Sequence, residues 1–377
     1  MRIIADENIA LVREYFGQAG ELLTLPGRAI TAEHVRHADA LLVRSVTRVD
    51  SALLAGSRCR FVGTATSGID HIDTGWLQQQ GIRFGWARGC NANAVVEFVL
   101  CALAQLSASC AFDWRRRSVG IIGCGEVGSR LARKLLALHM KVAIYDPFLD
   151  AAHPLAGCFT DLETVLRQEV VTLHAPLTRD SPWPTWHLLD ARRLDRLDPA
   201  TILVNAARGA IVDNHALAGL LVREPERLVV VDAWEGEPRI NQGLLAQVAL
   251  GTAHIAGYSN EGKVNGTRMI ANAFSECFGL AAAGLSVPVS AERRLQVELA
   301  LSPLEQLNRL MLSAYDISRD HQALAGLLDA ERPGEYFDGL RKEYPSRYEF
   351  ASFTVHAACL HPAVAEQAAR LGFTVAG

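Results

Sequence analysis

Three ionisable residues have the types and order to act on a carbon that bears a hydroxyl beside a carboxylate. Arg208 lies between Val204-Asn205-Ala206-Ala207 and Gly209. Glu237 lies in Asp232-Ala233-Trp234-Glu235-Gly236-Glu237-Pro238. His254 lies in Gly251-Thr252-Ala253-His254-Ile255-Ala256-Gly257-Tyr258. Oxidising a secondary alcohol needs a base for the hydroxyl proton, and histidine titrates in the right range when a carboxylate orients it. It also needs a cation for the neighbouring carboxylate, which an arginine matches with two parallel hydrogen bonds. Taken singly, each residue is more often structural or solvated. The ordered trio gains meaning from what precedes it.

What precedes it is Gly123-Cys124-Gly125-Glu126-Val127-Gly128, a G-x-G-x-x-G between the apolar run Val119–Ile122 and a helical pattern expected over Ser129–Leu138. In that context Gly123 permits a tight turn, Gly125 lets the backbone approach a pyrophosphate, and Gly128 lets helix and strand pack closely. The helix N-terminus presents N–H groups to the phosphates. Asp146, 18 residues past Gly128, is placed to accept from the ribose hydroxyls of an adenosine. A carboxylate there repels a 2′-phosphate, and Pro147-Phe148-Leu149 supply no arginine to offset it. NAD is therefore expected rather than NADP, and no metal.

These groups need a frame. Strands are expected at Arg2–Ala5, Ala40–Val43, Arg60–Thr64 and Gly81–Phe84, then a long helix from about Asn93. A second series follows at Ser118–Ile122, Lys141–Tyr145, Val170–Leu173, Thr201–Val204 and Leu228–Val231. Nearly continuous apolar strands separated by helical patterns predict parallel sheets covered on both faces. In open sheets of this kind ligands bind beyond the carboxyl ends of the strands, where Arg208, Glu237 and His254 fall. After Pro288 the pattern changes. Leu295, Val297 and Leu299 alternate, Ser302 and Pro303 open a helix to Leu312, Phe353 and Val355 alternate, and a helix from Pro362 stops at Gly372. This tail reads as a separate small α/β unit whose apolar strands pack against a second copy.

Composition narrows the function classes. The 377 residues carry 37 Lys plus Arg against 41 Asp plus Glu, a net charge of −4 with no polybasic run. That leaves no electrostatic basis for nucleic-acid or anionic-membrane binding. The eight cysteines include no CxxC pair, which argues against a zinc site or a disulfide framework and suits a reducing cytoplasm. Met1–Glu7 turns acidic too early for a signal peptide. The apolar stretch Ala94–Phe112 is interrupted by Glu97, Gln105, Ser107 and Ser109, which predicts a buried helix rather than a membrane span.

The run Ile202-Leu203-Val204-Asn205-Ala206-Ala207-Arg208-Gly209-Ala210-Ile211-Val212-Asp213 resembles the signature of the D-isomer-specific 2-hydroxyacid dehydrogenases. So do His174-Ala175-Pro176-Leu177-Thr178 and Glu237-Pro238. Leu42–Thr47, Thr64–His71, Gly89–Ala92, His254–Ser259, Tyr315–Asp320 and Pro333–Asp338 extend the likeness over the whole chain. They point to the branch that oxidises 4-phospho-D-erythronate with NAD to 2-oxo-3-hydroxy-4-phosphobutanoate, on a route to pyridoxal 5′-phosphate.

The resemblance implies Arg208, Glu237 and His254 as catalytic, with His254 the acid/base. It implies Ser45, Thr66 and Tyr258 as substrate contacts. Around NAD it implies Glu126, Val127, Asp146, Ala175, Ala206, Ala207, Asp232 and Gly257, beside Gly123, Gly125 and Gly128. Arg44, next to Ser45, is the candidate for the distal phosphate, with Arg347 of a second subunit as the rival. Ala175, Ala206, Ala253 and Asn260 depart from the usual pattern. The implied architecture is a flavodoxin-like substrate domain (1–93 plus 256–285), a Rossmann-type NAD domain (94–255) and a C-terminal dimerisation domain (286–377), with the site in a cleft. Two other readings stay open: a dehydrogenase for another 2-hydroxy acid such as phosphoglycerate, and an NAD-sensing regulatory protein on the same fold.

Overall fold

The computed structural model describes residues 1–281 and 293–377, which fall into two compact units: Met1–Asn91 with Ser259–Ser290, and Ala92–Tyr258 with Ala291–Gly377. The smaller unit holds a five-stranded parallel sheet of β1 (Arg2–Asp6), β2 (Glu21–Leu25), β3 (Ala40–Val43), β4 (Phe61–Thr64) and β5 (Arg83–Trp86). Its order, β2-β1-β3-β4-β5, is that of flavodoxin-like folds. The sequence reading omitted β2, a half-exposed edge strand whose Glu-Leu-Leu-Thr-Leu lacks a clear period of two. The helix Asn260–Phe278 covers β4 and β5 closely. A β-carbon at Gly85 would lie 2.6 Å from the Phe61 ring and 3.1 Å from Ala273. Phe274 meets Phe16 and Phe61 edge-on at 5.3 and 5.6 Å between ring centroids.

The larger unit is built on β6 (Val119–Ile122), β7 (Val142–Tyr145), β8 (Val170–Leu173), β9 (Ile202–Asn205), β10 (Val229–Val231) and β11 (Leu250–Gly251). They are all parallel, in the order β11-β10-β9-β8-β6-β7. Phe159 adds a single parallel bridge to Ile144 beyond β7, the remnant of the edge strand of a Rossmann sheet. The chain runs from β6 outward to β7, then returns to β8 on the other side of β6. The crevice where the order reverses therefore lies at the carboxyl ends of β6 and β8. The helix after β6 spans Glu126–Ala137, three residues earlier than expected. Its first turn falls inside the glycine motif, which is what brings its N–H groups to the crevice.

The tail does not stand apart as a third core. β12 (Arg293–Leu295), β13 (Phe353–His356) and β14 (Thr374–Ala376) form a three-stranded parallel sheet. The capping box of Ser302 and Glu305 opens the helix Pro303–Ala314. That helix lies along the helix Ala92–Cys110: Trp114 donates to Asn308 (2.9 Å), Asn308 donates to Ser107 (3.2 Å), and the Cys101 thiol meets the Met311 carbonyl (3.6 Å). Val297, Phe353 and Val355 join Phe98, Leu103 and Trp114 in one cluster. The apolar faces expected to seek a second copy are thus mostly covered by the same chain, and Leu299 remains exposed (61%). Ala92–Cys110 is long and apolar enough to cross a membrane, but 14 of its residues are buried here against the chain's own core.

Glu97 sits in that helix, 4% exposed. One oxygen accepts from the Phe350 N–H (2.9 Å), and the other finds no partner among the described residues. Burial, then the Glu349 carboxylate, push Glu97 up to about 8, against the pull of the Phe350 N–H, Arg347 and Lys134. Its unfolded value is about 4.3. A raised carboxyl stabilises the fold fully below the unfolded value, and that stabilisation is lost as pH rises toward 8. Melting temperature is therefore expected to fall between pH 5 and pH 8.5, by an amount equivalent to at most about 4 kcal/mol. Glu97→Gln is expected to flatten this dependence. Parallel melting curves for the two proteins check it, and identical slopes would exclude Glu97 as its source.

Candidate active site

The glycine motif forms the turn between β6 and its helix. Gly123 is in the left-handed region (φ 91°), and a β-carbon there would meet the Ala175 nitrogen at 2.7 Å. A β-carbon at Gly128 would collide with the Gly123 carbonyl. The fold itself thus requires both glycines. Gly125 differs, because a β-carbon there would meet nothing within 4 Å. The space over Gly125 is what a pyrophosphate needs, so the residues present fit a dinucleotide. Glu126 opens the helix and pairs with Arg130 at 3.1 Å, and Val127 packs on the core. Asp146 follows β7, where its carboxylate accepts from the Cys124 N–H (2.9 Å) and the Phe148 N–H (3.1 Å). It clamps the glycine turn to the end of β7. Ala175 follows β8.

Beside Ala175, His174 is no candidate base. Burial pushes its imidazole down to about 3, so it is neutral. Its Nε2 meets the Thr172 hydroxyl at 3.0 Å, and Nδ1 is buried with no partner among the described residues.

The turn after β9 carries Ala206, Ala207 and Arg208. Asn205 organises it: its side-chain oxygen accepts from the Ala207 N–H (3.2 Å), and its amide donates to the carbonyls of Arg208 (3.1 Å) and Ala233 (3.4 Å). The sequence reading did not single out Asn205, although it stands in the signature run. Arg208 is half-buried and donates to its neighbour Ala207 (2.8 Å). Gly209 lets this turn touch the next one, since a β-carbon there would collide with the Trp234 carbonyl.

That next turn, after β10, holds Glu237. One of its oxygens accepts from the Trp234 N–H (2.8 Å), and the other pairs with His254 Nδ1 (2.8 Å). Burial pushes this carboxyl up, but the His254 imidazole, the Trp234 N–H and the Arg341 guanidinium outweigh it and hold it below its ordinary value. Glu237 is therefore a carboxylate, which fixes a proton on His254 Nδ1 and leaves Nε2 as the ring nitrogen able to accept one.

His254 itself is in the left-handed region (φ 55°), an unusual state for a side-chain-bearing residue. Asp232 holds it there. The Asp232 carbonyl accepts from the His254 N–H (2.8 Å), while its carboxylate, 1% exposed, takes the Thr252 hydroxyl (2.6 Å) and the N–H groups of Ile255 (2.7 Å) and Ala256 (3.1 Å). Such strain persists where the surroundings over-determine it, as at functional sites. Nearby, His187 bridges Glu235 (2.9 Å) and Asp213 (3.7 Å), bracing the loop that carries Glu237.

Gly257 and Tyr258 belong to the larger unit, not to the smaller one as expected from residue 256 onward. The reason lies in the tail. Arg347 donates to the carbonyls of Ala256 (3.0 Å) and Ala94 (2.7 Å), and Tyr258 meets the Tyr344 ring edge-on at 5.7 Å. Arg347 is only 5% exposed and lies over the Tyr315 ring at 3.7 Å, which makes it a strut rather than a phosphate ligand. In the smaller unit Arg44 and Ser45 follow β3, and Thr66 follows β4. The Thr66 hydroxyl donates to the Gly68 carbonyl (2.9 Å) and meets Thr64 (2.8 Å). Lys263, not foreseen from the sequence, is held below its ordinary range by burial and by Arg44.

Residues 104–256 match the family model "D-isomer specific 2-hydroxyacid dehydrogenase, NAD binding domain", and 287–372 match "Domain of unknown function (DUF3410)". The chain is 45% identical to an erythronate-4-phosphate dehydrogenase of Cellvibrio japonicus (strain Ueda107), over 99% of each chain. It is also 45% identical to that of Serratia proteamaculans (strain 568), over 100% of each. Among solved structures, an NAD+-bound 3-phosphoglycerate dehydrogenase of Entamoeba histolytica is similar with a TM-score of 0.61 and 24% identity, covering 74% of this chain and 94% of that one. A D-lactate dehydrogenase of Aquifex aeolicus also gives 0.61, at 21% identity, covering 74% and 96%. These two likenesses bear on the fold alone. The glycine turn, the clamped Asp146, the Glu237–His254 pair and near-full-length relatedness lead to one conclusion: the chain belongs to the D-isomer-specific 2-hydroxyacid dehydrogenase family, in the branch whose curated members are named erythronate-4-phosphate dehydrogenase.

Proposed function

We propose that the protein oxidises the C2 hydroxyl of 4-phospho-D-erythronate with NAD, giving 2-oxo-3-hydroxy-4-phosphobutanoate on a route to pyridoxal 5′-phosphate. The observation that carries this reading is the 2.8 Å pair of His254 Nδ1 with the Glu237 carboxylate, one loop away from Arg208. His254 Nε2 takes the hydroxyl proton, and Glu237 stabilises the imidazolium that forms. Arg208 holds the substrate carboxylate and polarises the developing ketone. Bound NAD supplies the acceptor for the hydride leaving C2. Gly123, Gly125 and Gly128 would hold that cofactor, with Glu126, Val127, Asp146, Ala175, Ala206, Ala207, Asp232 and Gly257 as its further contacts.

Ser45, Thr66 and Tyr258 are assigned to the substrate, and Arg44 to its phosphate. Lys263 strengthens that last assignment. Two cations close together repel, and a dianion offsets the repulsion. The test is NADH formation by purified protein with 4-phospho-D-erythronate, 3-phosphoglycerate and simple 2-hydroxy acids. Preferred turnover of the first supports the reading, whereas turnover of none would favour an NAD-sensing regulator.

Asp146 sets cofactor choice in this reading. Asp146→Asn keeps an acceptor for the Cys124 N–H but removes the charge. It is expected to weaken NAD about tenfold, from the loss of one charge-assisted hydrogen bond, and to narrow the NAD/NADP preference. KM values for both cofactors check this, and wild-type protein that used NADP equally well would refute it. A cytoplasmic homodimer joined through the C-terminal segment completes the reading. Truncation near residue 286 would strip the helix Pro303–Ala314 from Ala92–Cys110, so the dimer is better tested by sedimentation of the intact chain beside Leu299→Glu.

A further inference from the structure

The C-terminal segment, whose own family model is one of unknown function, sends a cation toward the candidate active site. The helix Pro333–Lys342 docks through Phe337, which is fully buried, and Leu340, both against the core on one face of the β6–β11 sheet. Its Gly334 packs on the Glu237 loop, where a β-carbon would stand 3.6 Å from Pro238 and from Arg239. From the last turn Arg341 extends back toward Tyr258. Its guanidinium carbon lies 5.9 Å from the Tyr258 ring centroid and its side chain is hydrogen-bonded to Tyr258. It also interacts electrostatically with Glu237 and Asp232. Its Nε is buried with no acceptor among the described residues.

Arg341 stands in the last turn, where a cation suits the helix dipole, yet its half-buried side chain is hydrogen-bonded to Tyr258 and leaves one buried donor unmatched among the described residues, which the dipole does not explain. Its neighbours are two residues of the reaction: the tyrosine assigned to the substrate and the carboxylate that holds His254. We infer that Arg341 is a positioning residue of the active site, fixing the Tyr258 hydroxyl for the substrate and keeping a positive charge beside the Glu237–His254 pair. The C-terminal segment thereby completes the catalytic apparatus of its own chain, a role independent of any dimer.

This inference rests on the function proposed above, and the experiment separates the two. Full-length Arg341→Gln, Arg341→Lys, Tyr258→Phe and the Arg341→Gln/Tyr258→Phe double variant are compared in kcat, KM, melting temperature and pH profile of kcat/KM. Loss of a nearby cation favours the imidazolium, so the acidic limb of Arg341→Gln should move to higher pH. Glu237→Gln should move it the opposite way. Arg341→Gln should also lose about 10- to 100-fold in kcat/KM, chiefly through KM, the range of one charge-assisted hydrogen bond. The double variant should be no worse than the poorer single one, because both act through one contact. Arg341→Lys should restore the limb while recovering only part of KM.

An unshifted limb, additive losses, or a fall in melting temperature with unchanged kinetics per folded molecule would each overturn the assignment. Should Arg341→Gln fail to fold, Arg341→Lys decides alone, and wild-type KM in that variant overturns it. Wild-type protein that turns over no 2-hydroxy acid would instead overturn the proposed function. Turnover by the wild type with an indifferent Arg341→Gln would overturn only this inference.

Discussion

His254→Gln is expected to lower kcat by about 10²- to 10⁴-fold, the usual contribution of a positioned acid/base. NAD binding should be retained, because the glycine turn and the Asp146 clamp involve neither His254 nor Glu237. Glutamine preserves a side chain able to meet Glu237, so collapse of the loop does not explain a loss. The left-handed backbone at 254 is set by the Asp232 contacts, which the substitution leaves in place. Steady-state kinetics with cofactor titration by NADH fluorescence check the expectation. A near-normal kcat would remove His254 from the chemistry. Glu237→Gln gives the companion result. The imidazolium loses a carboxylate partner at 2.8 Å, so the acidic limb of kcat/KM should move to lower pH. An unmoved limb would show that the pair is not coupled in solution.

Arg208→Gln is the second large effect. A preorganised donor aimed at a developing charge is worth about 3–4 kcal/mol, so kcat/KM should fall by roughly 10²–10³. Arg208→Lys should recover only part of this, since an ammonium cannot bond a carboxylate bidentately. The loss should appear in both kcat and KM, because the guanidinium serves the bound carboxylate as well as the forming ketone. Loss in KM alone would reduce Arg208 to a binding residue. The guanidinium gives this turn one hydrogen bond, to the Ala207 carbonyl, but Asn205 holds the turn separately through backbone groups of Ala207, Arg208 and Ala233. A folded variant is therefore expected, with an unchanged melting temperature as the control.

The parallel sheets, the glycine turn and the candidate catalytic trio were legible in the sequence because each is written locally. β6 and β8 to β10 are short apolar runs buried on both faces, β7 is a half-buried edge run of the same kind, and hydrophobicity alone marks them. Gly123 and Gly128 are required by a tight turn and a close approach within their own segment. Arg208, Glu237 and His254 each stand just past a strand or in the loop beside one, and parallel topology sends all such ends to one edge. Capping also reads directly: Ser302 with Glu305 opens a helix, and Gly372, at φ 111°, ends another.

Features that depend on which distant segments touch were not legible. Edge strand β2 and the two-residue β11 have too little apolar periodicity to stand out. The tail reads as an independent unit because its alternating apolar residues announce burial but not the surface that buries them, which proved to be the helix Ala92–Cys110. Arg347 reads as a candidate phosphate ligand until its guanidinium is found against the carbonyls of Ala94 and Ala256. Arg341 has no local signal at all. It lies 104 residues beyond Glu237 in the chain, and only the docking of Phe337 and Leu340 brings it to the site. The sequence by itself determined most of the elements, the cofactor turn and the trio's candidacy for the chemistry, since these follow from residue types at short spacing. Tertiary structure alone decided which groups Asp232, Arg341 and Arg347 meet. A buried charge takes its function from the partners that packing delivers to it, and those partners are far away along the chain.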